Sequence, residues 1–524
     1  MPPVIKLKRG LDIPLKGEAP KIVVQAPLPK IISVKPTDFR GLTPKLLVKE
    51  GDVVAAGAPL FADKCRPRIL FTAPVGGVVG AIVRGEKRKL LSIDIQCTHD
   101  EEPRAFPMGH PNAESHASSV NHTEAERHTS HVGRPNAEPN ASSVNHPGVE
   151  RHTSHVGRPN AEPRASSVNH TEAKQRAFPV SHTEALSREQ IVEILLQSGC
   201  WPCLIQRPYG VIANPEDVPR AIFISAFDTA PLAPDLDFIL AGQEADLQRG
   251  IDVLRKLSPK GGVYWSARNQ LSPSNLLAHP NNVHTHLFEG KHPAGNVGVQ
   301  IHHIAPISKG EVVWTIDPQS VVVIGRLFST GVLDTRKMVA LTGPSATKPC
   351  YLSILPGTPF SAIPHIGAHN PAVRYISGNC LTGNDVGYHG SLGFYHHQIT
   401  LLPEGDHFEL LGWAKLYRPK TFSVSRSYFS WLSPKKRYRL DTNMNGGVRA
   451  FVVSDVYAKV LPMDLYPTYL LKAIWAGDID KMEALGIYEV IEEDFALCEF
   501  VCPSKINIQE LIANGIDLMI KEMS

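Results

Sequence analysis

Between residues 187 and 335 the apolar positions switch repeatedly between the spacing of strands and the spacing of helices. Ser187 and Gln190 stand where a capping box would begin the first helix. The pattern predicts helices at 188–198, 239–257 and 317–329, and strands at 221–226, 262–265 and 283–288. Because strands alternate with helices here, we expect a parallel sheet that binds ligands at the carboxyl ends of its strands.

The residues before this region follow a different pattern. Over 46–82, short apolar runs alternate with Gly-Asp and Ala-Pro turns, which predicts short strands in a small sandwich. This pattern resembles the barrel-sandwich of biotinyl and lipoyl domains. Lys64 lies near the hairpin that carries the modified lysine in those domains, but the segment 64–74 is longer than a lipoyl hairpin. We therefore interpret this part as a structural use of the fold.

After residue 335 the pattern again predicts both kinds of element. Strands are predicted near 338–342, 373–377 and 398–402, and helices at 463–475, 478–485 and 506–523. In the last helix one apolar stripe is expected to face the core; it consists of Ile508, Leu511, Ile512, Ile516 and Met519.

A tandem repeat interrupts the chain. Ala-Ser-Ser-Val-Asn-His begins at Ala117, Ala141 and Ala165, in steps of 24, and Arg-Ala-Phe-Pro returns from Arg104 to Arg176, a step of 72. The repeat has few aliphatic or aromatic residues, so it cannot bury enough apolar surface to offset the entropy of ordering, and we expect it to be disordered. Ten of the 23 histidines lie in 110–182, which leaves weak metal binding as an alternative.

Removal of residues 104–175 is expected to leave folding of the remaining chain intact. The return of Arg-Ala-Phe-Pro means that the deletion rejoins one continuous sequence. A flexible insert costs little, since loop-closure entropy grows by only about 0.6 kcal/mol for each doubling of loop length. Urea unfolding of the deletion variant should give a free energy of unfolding within about 1 kcal/mol of the full chain. A variant that fails to fold would show that the insert is structural.

Composition narrows the class of protein. Hydrophobic residues make up 42% and charged residues 20% of the 524 positions, as in soluble globular proteins. A net charge of +3 gives no indication of nucleic-acid binding, and we interpret the basic run at 435–439 as a solvated turn. The N-terminus lacks the apolar core of a secretory signal, and no apolar run approaches the roughly 18 residues of a membrane span. We expect a cytoplasmic chain without a transmembrane helix.

The eight cysteines are expected to be reduced in that compartment. Cys200 and Cys203 have the spacing of a redox pair, but they follow the end of a predicted helix instead of opening one, where the helix dipole would lower a thiol pKa. Cys498 and Cys502 supply two of the four ligands that an iron–sulfur cluster or structural zinc needs. We therefore predict neither redox activity nor a metal site.

The residues best suited to bind a ligand follow the predicted strand 283–288. Gly290, Gly295 and Gly298 are expected to adopt positive φ and to allow close approach of a partner, and charged or titratable side chains stand beside them: Glu289, Lys291, His292 and His302. The spacing is neither a Walker motif nor a dinucleotide fingerprint. A plain glycine-rich turn between a strand and a helix is the alternative.

This stretch, Glu-Gly-x-His-Pro-Ala-Gly-x-Val-Gly-x-x-Ile-His from residue 289, resembles a signature of the A subunit of the sodium-translocating NADH:quinone reductase. Further resemblances lie at 8–15, 84–88, 376–383, 441–451 and 496–505. They cover nearly the whole chain outside the repeat.

The resemblance implies a peripheral subunit on the cytoplasmic side of the inner (cell) membrane. It implies a complex with five other subunits, B to F, that oxidises NADH, reduces ubiquinone and exports sodium, with this chain at the quinone-reducing end. The B and C subunits are the most direct partners implied. No cofactor is expected to be tightly bound to this chain, with NADH, FAD, FMN, riboflavin and iron–sulfur carried elsewhere. The family fold resembles the flavin-carrying subunit of complex I, which keeps a stand-alone flavin- or NADH-binding dehydrogenase module as the alternative.

We accordingly predict an α/β multidomain protein with five parts. They are a barrel-sandwich domain at 1–103, the repeat insert at 104–182, a Rossmann-like α/β domain at 183–335, a small β-grasp-like soluble-ligand-binding (SLBB) module at 336–390, and a C-terminal β plus helical region at 391–524. The expected quinone-binding residues are Glu289, Gly290, Lys291, His292, Gly295, Gly298 and His302. His292 or His302 would donate to a quinone carbonyl, with Lys291 as counter-charge; otherwise His292 and Glu289 only pin the loop.

Overall fold

The computed structural model describes residues 2–98, 186–269, 280–405, 412, 418, 420–425 and 430–523. The repeat insert predicted at 104–182 lies outside the described residues.

The first hundred residues form nine short strands. These are β1 (Val4–Lys6), β2 (Val23–Gln25), β3 (Ile31–Val34), β4 (Pro44–Leu46), β5 (Val53–Val54), β6 (Pro59–Asp63), β7 (Leu70–Thr72), β8 (Gly77–Arg84) and β9 (Leu90–Cys97). Strands β3, β9, β8 and β5 form one antiparallel sheet, and β4, β6 and β7 form a second. Buried Leu60, Phe61, Phe71 and Ile93 belong to the core. The predicted sandwich of short strands is confirmed, with Lys64 exposed between β6 and β7.

The second region is the predicted α/β domain. Its elements are α1 (Arg188–Ser198), β10 (Ile205–Arg207), β11 (Val211–Ile212), β12 (Ile222–Ser225), α2 (Leu236–Leu240), α3 (Glu244–Leu257), β13 (Val263–Arg268), β14 (His284–Glu289), α4 (Val297–Ile304), β15 (Val313–Thr315) and α5 (Pro318–Thr330). Ser187 and Gln190 form the predicted capping box on α1. Strands β14, β13, β12 and β15 are parallel neighbours, as expected.

One helix prediction is wrong. The apolar period over 239–257 predicted a single helix, whereas the chain forms α2 and α3. Asp235 caps α2, so that this helix begins earlier than predicted. Gly242 has φ +80°, a left-handed conformation that ends α2 and that glycine adopts without steric cost. Helical periodicity continues across the break because both helices bury their apolar faces.

The C-terminal elements begin with a second sheet and end in helices. They are β16 (Lys337–Thr342), β17 (Cys350–Ile354), β18 (Val373–Ser377), β19 (Asn384–Asp385), β20 (Gln398–Pro403), α6 (Val456–Val460), α7 (Pro467–Ala476), α8 (Ile479–Ala484), α9 (Ala496–Val501) and α10 (Ile508–Met523). Ile508, Ile512, Ile516 and Met519 on α10 are buried, which confirms that its apolar stripe faces the core.

The N-terminal segment adds one strand to each of the two sheets that are formed mainly by later residues. Strand β1 extends the α/β sheet by pairing in parallel with β14, and β2 pairs in parallel with β17. The full orders are β1-β14-β13-β12-β15-β10-β11 and β19-β18-β20-β16-β17-β2. Within the described ranges, no helix is both long and apolar enough to cross a bilayer.

Candidate functional site

A cleft of about 450 Å³ lies at the carboxyl ends of the parallel strands. The chain runs from β12 outward through β13 and β14 and then returns to place β15 on the other side of β12. Such a reversal leaves a crevice between the two strands, where ligands bind in open α/β sheets. Residues after β12, β14 and β15 line the cleft, among them Phe227, His292 and Ile316.

The glycine-rich loop joins β14 to α4 along one wall of this cleft. The expectation of positive φ is wrong, because none of Gly290, Gly295 and Gly298 adopts it. These glycines are required by close approach instead. A Cβ at Gly290 would lie 2.9 Å from Cβ of Leu7, and one at Gly295 would lie 2.7 Å from the backbone nitrogen of Thr229.

The N-terminal segment holds the loop from outside the sheet. The backbone N–H of Leu7 donates to the carbonyl of Glu289 (2.8 Å), and that of Leu11 donates to the carbonyl of His292 (2.8 Å). The His292 N–H in turn donates to Asp12 Oδ1 at 3.0 Å. The resemblance at residues 8–15 therefore concerns the same site as the glycine loop, although the sequence did not connect the two.

His292 is the predicted residue whose ring lines the cleft. It is 4% exposed, and its Nδ1 lies 3.1 Å from Oγ1 of Thr229, which also accepts the N–H of Gly295 at 2.9 Å. Burial lowers the pKa of His292 below its usual value, and Asp228 and Asp12 oppose this shift only in part. His292 is therefore a neutral imidazole at pH 7, fixed by Thr229 at the edge of the cleft.

The other predicted residues divide into two groups. Glu289, Gly290 and Lys291 line a second cavity of about 1240 Å³, on the far side of the loop. His302 lies on α4, where its Nδ1 is 2.7 Å from Glu489 Oε2 and its Nε2 accepts the backbone N–H of Asp464 at 2.9 Å. Both nitrogens of His302 thus bind the C-terminal region and not the cleft.

A buried charge cluster that the sequence did not reveal borders the same loop. Arg207 Nη1 lies 3.0 Å from Asp494 Oδ2, and Nη2 lies 2.9 Å from Glu493 Oε1. Both Arg207 and Asp494 are almost fully buried. Gly298 packs on this pair: a Cβ there would lie 2.5 Å from Asp494 Oδ1 and 2.7 Å from Arg207 Nη1. Glycine is therefore required at position 298 because a larger side chain would collide with this ion pair.

Glu493 lines the cleft, and its pKa is unusually high for a glutamate. Burial raises the pKa of Glu493 to about 7; Arg207 opposes the shift, and Asp494 and Asp228 add to it. Its side chain is 38% exposed within the cleft, so solvent screening weakens these interactions. One arginine serving two adjacent carboxylates leaves Glu493 able to hold or release a proton near neutral pH.

This cluster gives a pH prediction. The pKa of folded Glu493 exceeds the ordinary 4.5, so the folded chain binds more protons than the unfolded chain between about pH 4.5 and pH 7. The contribution of Glu493 to the free energy of unfolding is therefore fully present below about pH 4.5 and is lost as the pH rises to about 7. Relative to Glu493→Gln, the wild-type chain should lose about 1 kcal/mol between pH 5 and pH 8, a value reduced for its partial exposure. Urea unfolding at both pH values measures this, and a constant difference would contradict it.

Asp317 and His397 line another part of the cleft. Asp317 caps α5 by accepting the N–H of Ser320 at 3.0 Å, and its Oδ1 lies 3.2 Å from Nε2 of His397. Burial raises the pKa of Asp317, but its interactions with His397, Lys337 and Ser320 outweigh burial and hold that pKa well below the usual range. Asp317 is therefore ionised, and it lies beside His397 at the cleft.

The charges of the cleft limit its ligands. Four carboxylates line it (Asp38, Asp228, Asp317 and Glu493) against two arginines, Arg40 and Arg207. Both arginines are already paired with carboxylates. A phosphate-bearing ligand would meet like charge here, whereas a neutral ring with hydrogen-bonding oxygens would not. Among the described residues no group of three His, Cys, Asp or Glu side chains could hold a metal ion.

The cysteines lie in apolar surroundings. Cys200, Cys203, Cys498 and Cys502 are buried, and Cys65 is exposed. Burial raises the pKa of Cys203 to about 11 and raises those of Cys200 and Cys498 well above the usual range. These thiols therefore lack the thiolate character of redox cysteines.

Thiol labelling tests this interpretation. With Ellman's reagent at pH 8, Cys65 of the folded chain should react first, and Cys200 and Cys203 should react only after unfolding, because the thiolate is the reactive form. Peptide mapping identifies the labelled sites. Labelling of Cys200 or Cys203 in the folded chain as fast as that of Cys65 would show that they form a reactive pair.

The fold defines a multidomain α/β protein with a cleft at the carboxyl ends of its parallel strands. Three family descriptions match the chain: the NqrA N-terminal barrel-sandwich hybrid domain over 5–98, the NqrA second alpha/beta domain over 186–333, and the NQRA C-terminal domain, an SLBB module, over 338–387. A relative from Neisseria meningitidis serogroup A, the A subunit of the Na(+)-translocating NADH-quinone reductase, is 34% identical over 99% of this chain and 100% of its own. The protein of the same name from Yersinia pestis is 34% identical over 96% of each chain.

This chain belongs to the NqrA family, the A subunits of the Na(+)-translocating NADH-quinone reductase. Solved structures of an NAD+-reducing NiFe-hydrogenase are also similar. The air-oxidised form gives a TM-score of 0.31 at 12% identity, covering 64% of this chain and 61% of that one. The H2-reduced form gives a TM-score of 0.33 at 11% identity, covering 66% and 63%. Scores at this level do not define a shared fold.

Proposed function

We propose that this chain works as the A subunit of a membrane-bound, sodium-pumping NADH:ubiquinone oxidoreductase, and that its cleft binds the quinone ring. In this role it contributes to the step from ubisemiquinone to ubiquinol that is coupled to sodium export. The observation that carries the proposal is a neutral, buried His292 at the edge of a cleft whose carboxylates disfavour phosphate. A volume of about 450 Å³ lies within the usual range of about 300–1,000 Å³ for small-molecule sites.

His292 and Glu493 have complementary roles in this proposal. Thr229 Oγ1 accepts the Gly295 N–H, and its hydroxyl hydrogen is then free to donate to Nδ1 of His292. When Thr229 donates to Nδ1, neutral His292 carries its proton on Nε2, from which it donates to a quinone carbonyl oxygen and favours negative charge there. Each carbonyl oxygen gains a proton when the ring is fully reduced. Glu493, with a pKa of about 7, is the cleft residue suited to supply one.

The remaining predicted residues are assigned supporting roles. Gly295 lets the loop approach Thr229, and Gly298 and His302 join α4 to the C-terminal region. Glu289, Gly290 and Lys291 belong to the second cavity and are not proposed to touch the ring. The strand reversal beside the cleft supports a Rossmann-like description of the α/β domain.

We further propose that NADH, FAD, FMN, riboflavin and iron–sulfur groups are carried by other subunits of the complex. The partners would be the five other subunits, B to F, with B and C in direct contact, and the chain would lie at the cytoplasmic side of the membrane. The acidic cleft supports the absence of a flavin phosphate.

Titration of the purified full chain with a short-chain ubiquinone, followed by saturation-transfer NMR, tests this function. Transfer to the ring protons of the quinone is expected, and an excess of a second quinone should remove it. Purified protein is expected to show no flavin absorbance. A flavin spectrum with no quinone signal would instead support a flavin- or NADH-binding dehydrogenase module.

A further inference from the structure

Residues 430–439 form a surface feature that the cleft does not explain. Their sequence, Ser-Trp-Leu-Ser-Pro-Lys-Lys-Arg-Tyr-Arg, contains four cations and no carboxylate. Trp431 and Leu432, in a short 3-10 helix, are 50% and 63% exposed. Lys435, Lys436, Arg437 and Arg439 are exposed as well. We call residues 430–439 the basic-aromatic lobe.

The lobe is anchored at Tyr438. The Tyr438 side chain is buried. The backbone N–H of Tyr438 donates to the carbonyl of Pro14 at 2.7 Å, and the backbone carbonyl of Tyr438 accepts the N–H of Lys16 at 2.9 Å. The ring of Phe422 packs at 5.9 Å from that of Tyr438. This end of the lobe is therefore fixed to the N-terminal segment.

One ion pair joins the lobe to a described carboxylate. Glu18 is 3.9 Å from Arg437, with both side chains more than half exposed, so this ion pair is weak. Asp12, Asp228 and Glu289 line the wall of the cavity below the lobe.

We propose that the basic-aromatic lobe docks this chain on a bilayer surface that carries anionic headgroups. Lys and Arg are attracted to such a surface, and tryptophan prefers the boundary between headgroups and acyl chains. Protein–protein interfaces are enriched in tryptophan and arginine but depleted of lysine, so Lys435 and Lys436 are the residues that favour a lipid surface over a partner protein. The occupant is thus an anionic lipid surface, held by charge and by the partial burial of Trp431 and Leu432.

The lobe lies beside a cavity that adjoins the cleft. The cavity below it is lined by Trp431, Lys435 and Tyr438 at one end and by Gly290 and Lys291 at the other. This cavity shares Phe227, Asp228 and Ala230 with the cleft. Docking at the lobe would therefore place the cleft beside a lipid-facing cavity. This last step rests on the proposed quinone function, whereas the docking itself does not.

Vesicle flotation of the full chain tests the docking. Vesicles of phosphatidylcholine alone are compared with vesicles in which part of it is replaced by phosphatidylglycerol. The wild-type chain should bind the anionic vesicles at least about tenfold more tightly, and binding should weaken as NaCl rises from about 0.05 M to about 0.5 M. The triple variant K435E/K436E/R437E should lose at least tenfold, and Trp431→Ala should lose about threefold.

The matched control is K87E/R88E/K89E, which reverses an equal number of exposed cations on the barrel-sandwich domain. This control should bind within about twofold of the wild-type chain. Equal loss in the control and the lobe variant would overturn the proposal, since binding would then follow net charge. Wild-type chain that floats with neither vesicle would also overturn it and would point to a protein partner. A failure here with quinone binding intact would leave the cleft proposal standing, and all variants must keep the wild-type melting temperature.

Discussion

Replacing Gly298 with alanine is expected to lower the free energy of unfolding by about 3 kcal/mol, because the added methyl group meets a buried ion pair. Its Cβ would lie 2.5 Å and 2.6 Å from the two carboxylate oxygens of Asp494 and 2.7 Å from Arg207 Nη1. Asp494 has no room to withdraw, since its Oδ2 also accepts the N–H of Ile491 at 3.0 Å. In an open helix the same substitution would stabilise the chain by roughly 0.5–1 kcal/mol, so any loss must come from the collision.

Gly242→Ala provides the control for backbone strain. Gly242 has a left-handed φ of +80°, but nothing lies within 4 Å of the position of its Cβ. That variant should lose only about 1 kcal/mol, the ordinary cost of placing alanine in a left-handed conformation. Urea unfolding of both variants compares the two causes. A Gly298→Ala variant as stable as Gly242→Ala, or more stable, would show that the loop and the C-terminal region are not tightly packed.

Replacing His292 with alanine is expected to weaken quinone binding by about tenfold, which corresponds to about 1.4 kcal/mol for one lost hydrogen bond. His292 lines the cleft, and when Thr229 donates to its Nδ1, its Nε2 is the donor proposed for a carbonyl oxygen. The loop keeps much of its structure in this variant, because the backbone of His292 still binds Leu11 and Asp12. The fall in affinity should therefore exceed any fall in stability.

His303→Ala is the matched histidine control. His303 lies on α4 and its Nε2 is 2.7 Å from the carbonyl oxygen of Pro462, away from the residues that line the cleft. Its removal should lower the melting temperature and leave quinone affinity within about twofold of wild type. If His292→Ala loses stability but no affinity, His292 only pins the loop.

Local signals predicted most elements, and long-range contacts explain what they missed. A capping box and the apolar period were sufficient for α1, and the apolar period was sufficient for α5, because those signals are local in the sequence. The break between α2 and α3 was missed because periodicity outweighed one glycine. Strands β1 and β2 were not predicted, although they lie within the range 1–103 given to the barrel-sandwich domain, because each pairs with a strand more than 250 residues away.

The residues that border the cleft could be predicted only in part, for the same reason. The position of the glycine loop followed from strand–helix alternation, and His292 could be selected from its residue type. Arg207 and Asp494 are 287 residues apart in sequence, so no local spacing could bring them together. The glycines were interpreted through φ, whereas Gly298 is required by this distant pair.

Photolabelling of the full chain with a photoreactive ubiquinone tests the central claim most directly, because it identifies where the ring lies. Labels are expected on the residues that line the cleft, within 225–236 and 292–297, and excess ubiquinone should suppress them. His292→Ala should reduce this labelling, and His303→Ala should not. Labels confined to residues outside the cleft, such as the barrel-sandwich domain or α10, with no competable label in those two segments, would contradict the account.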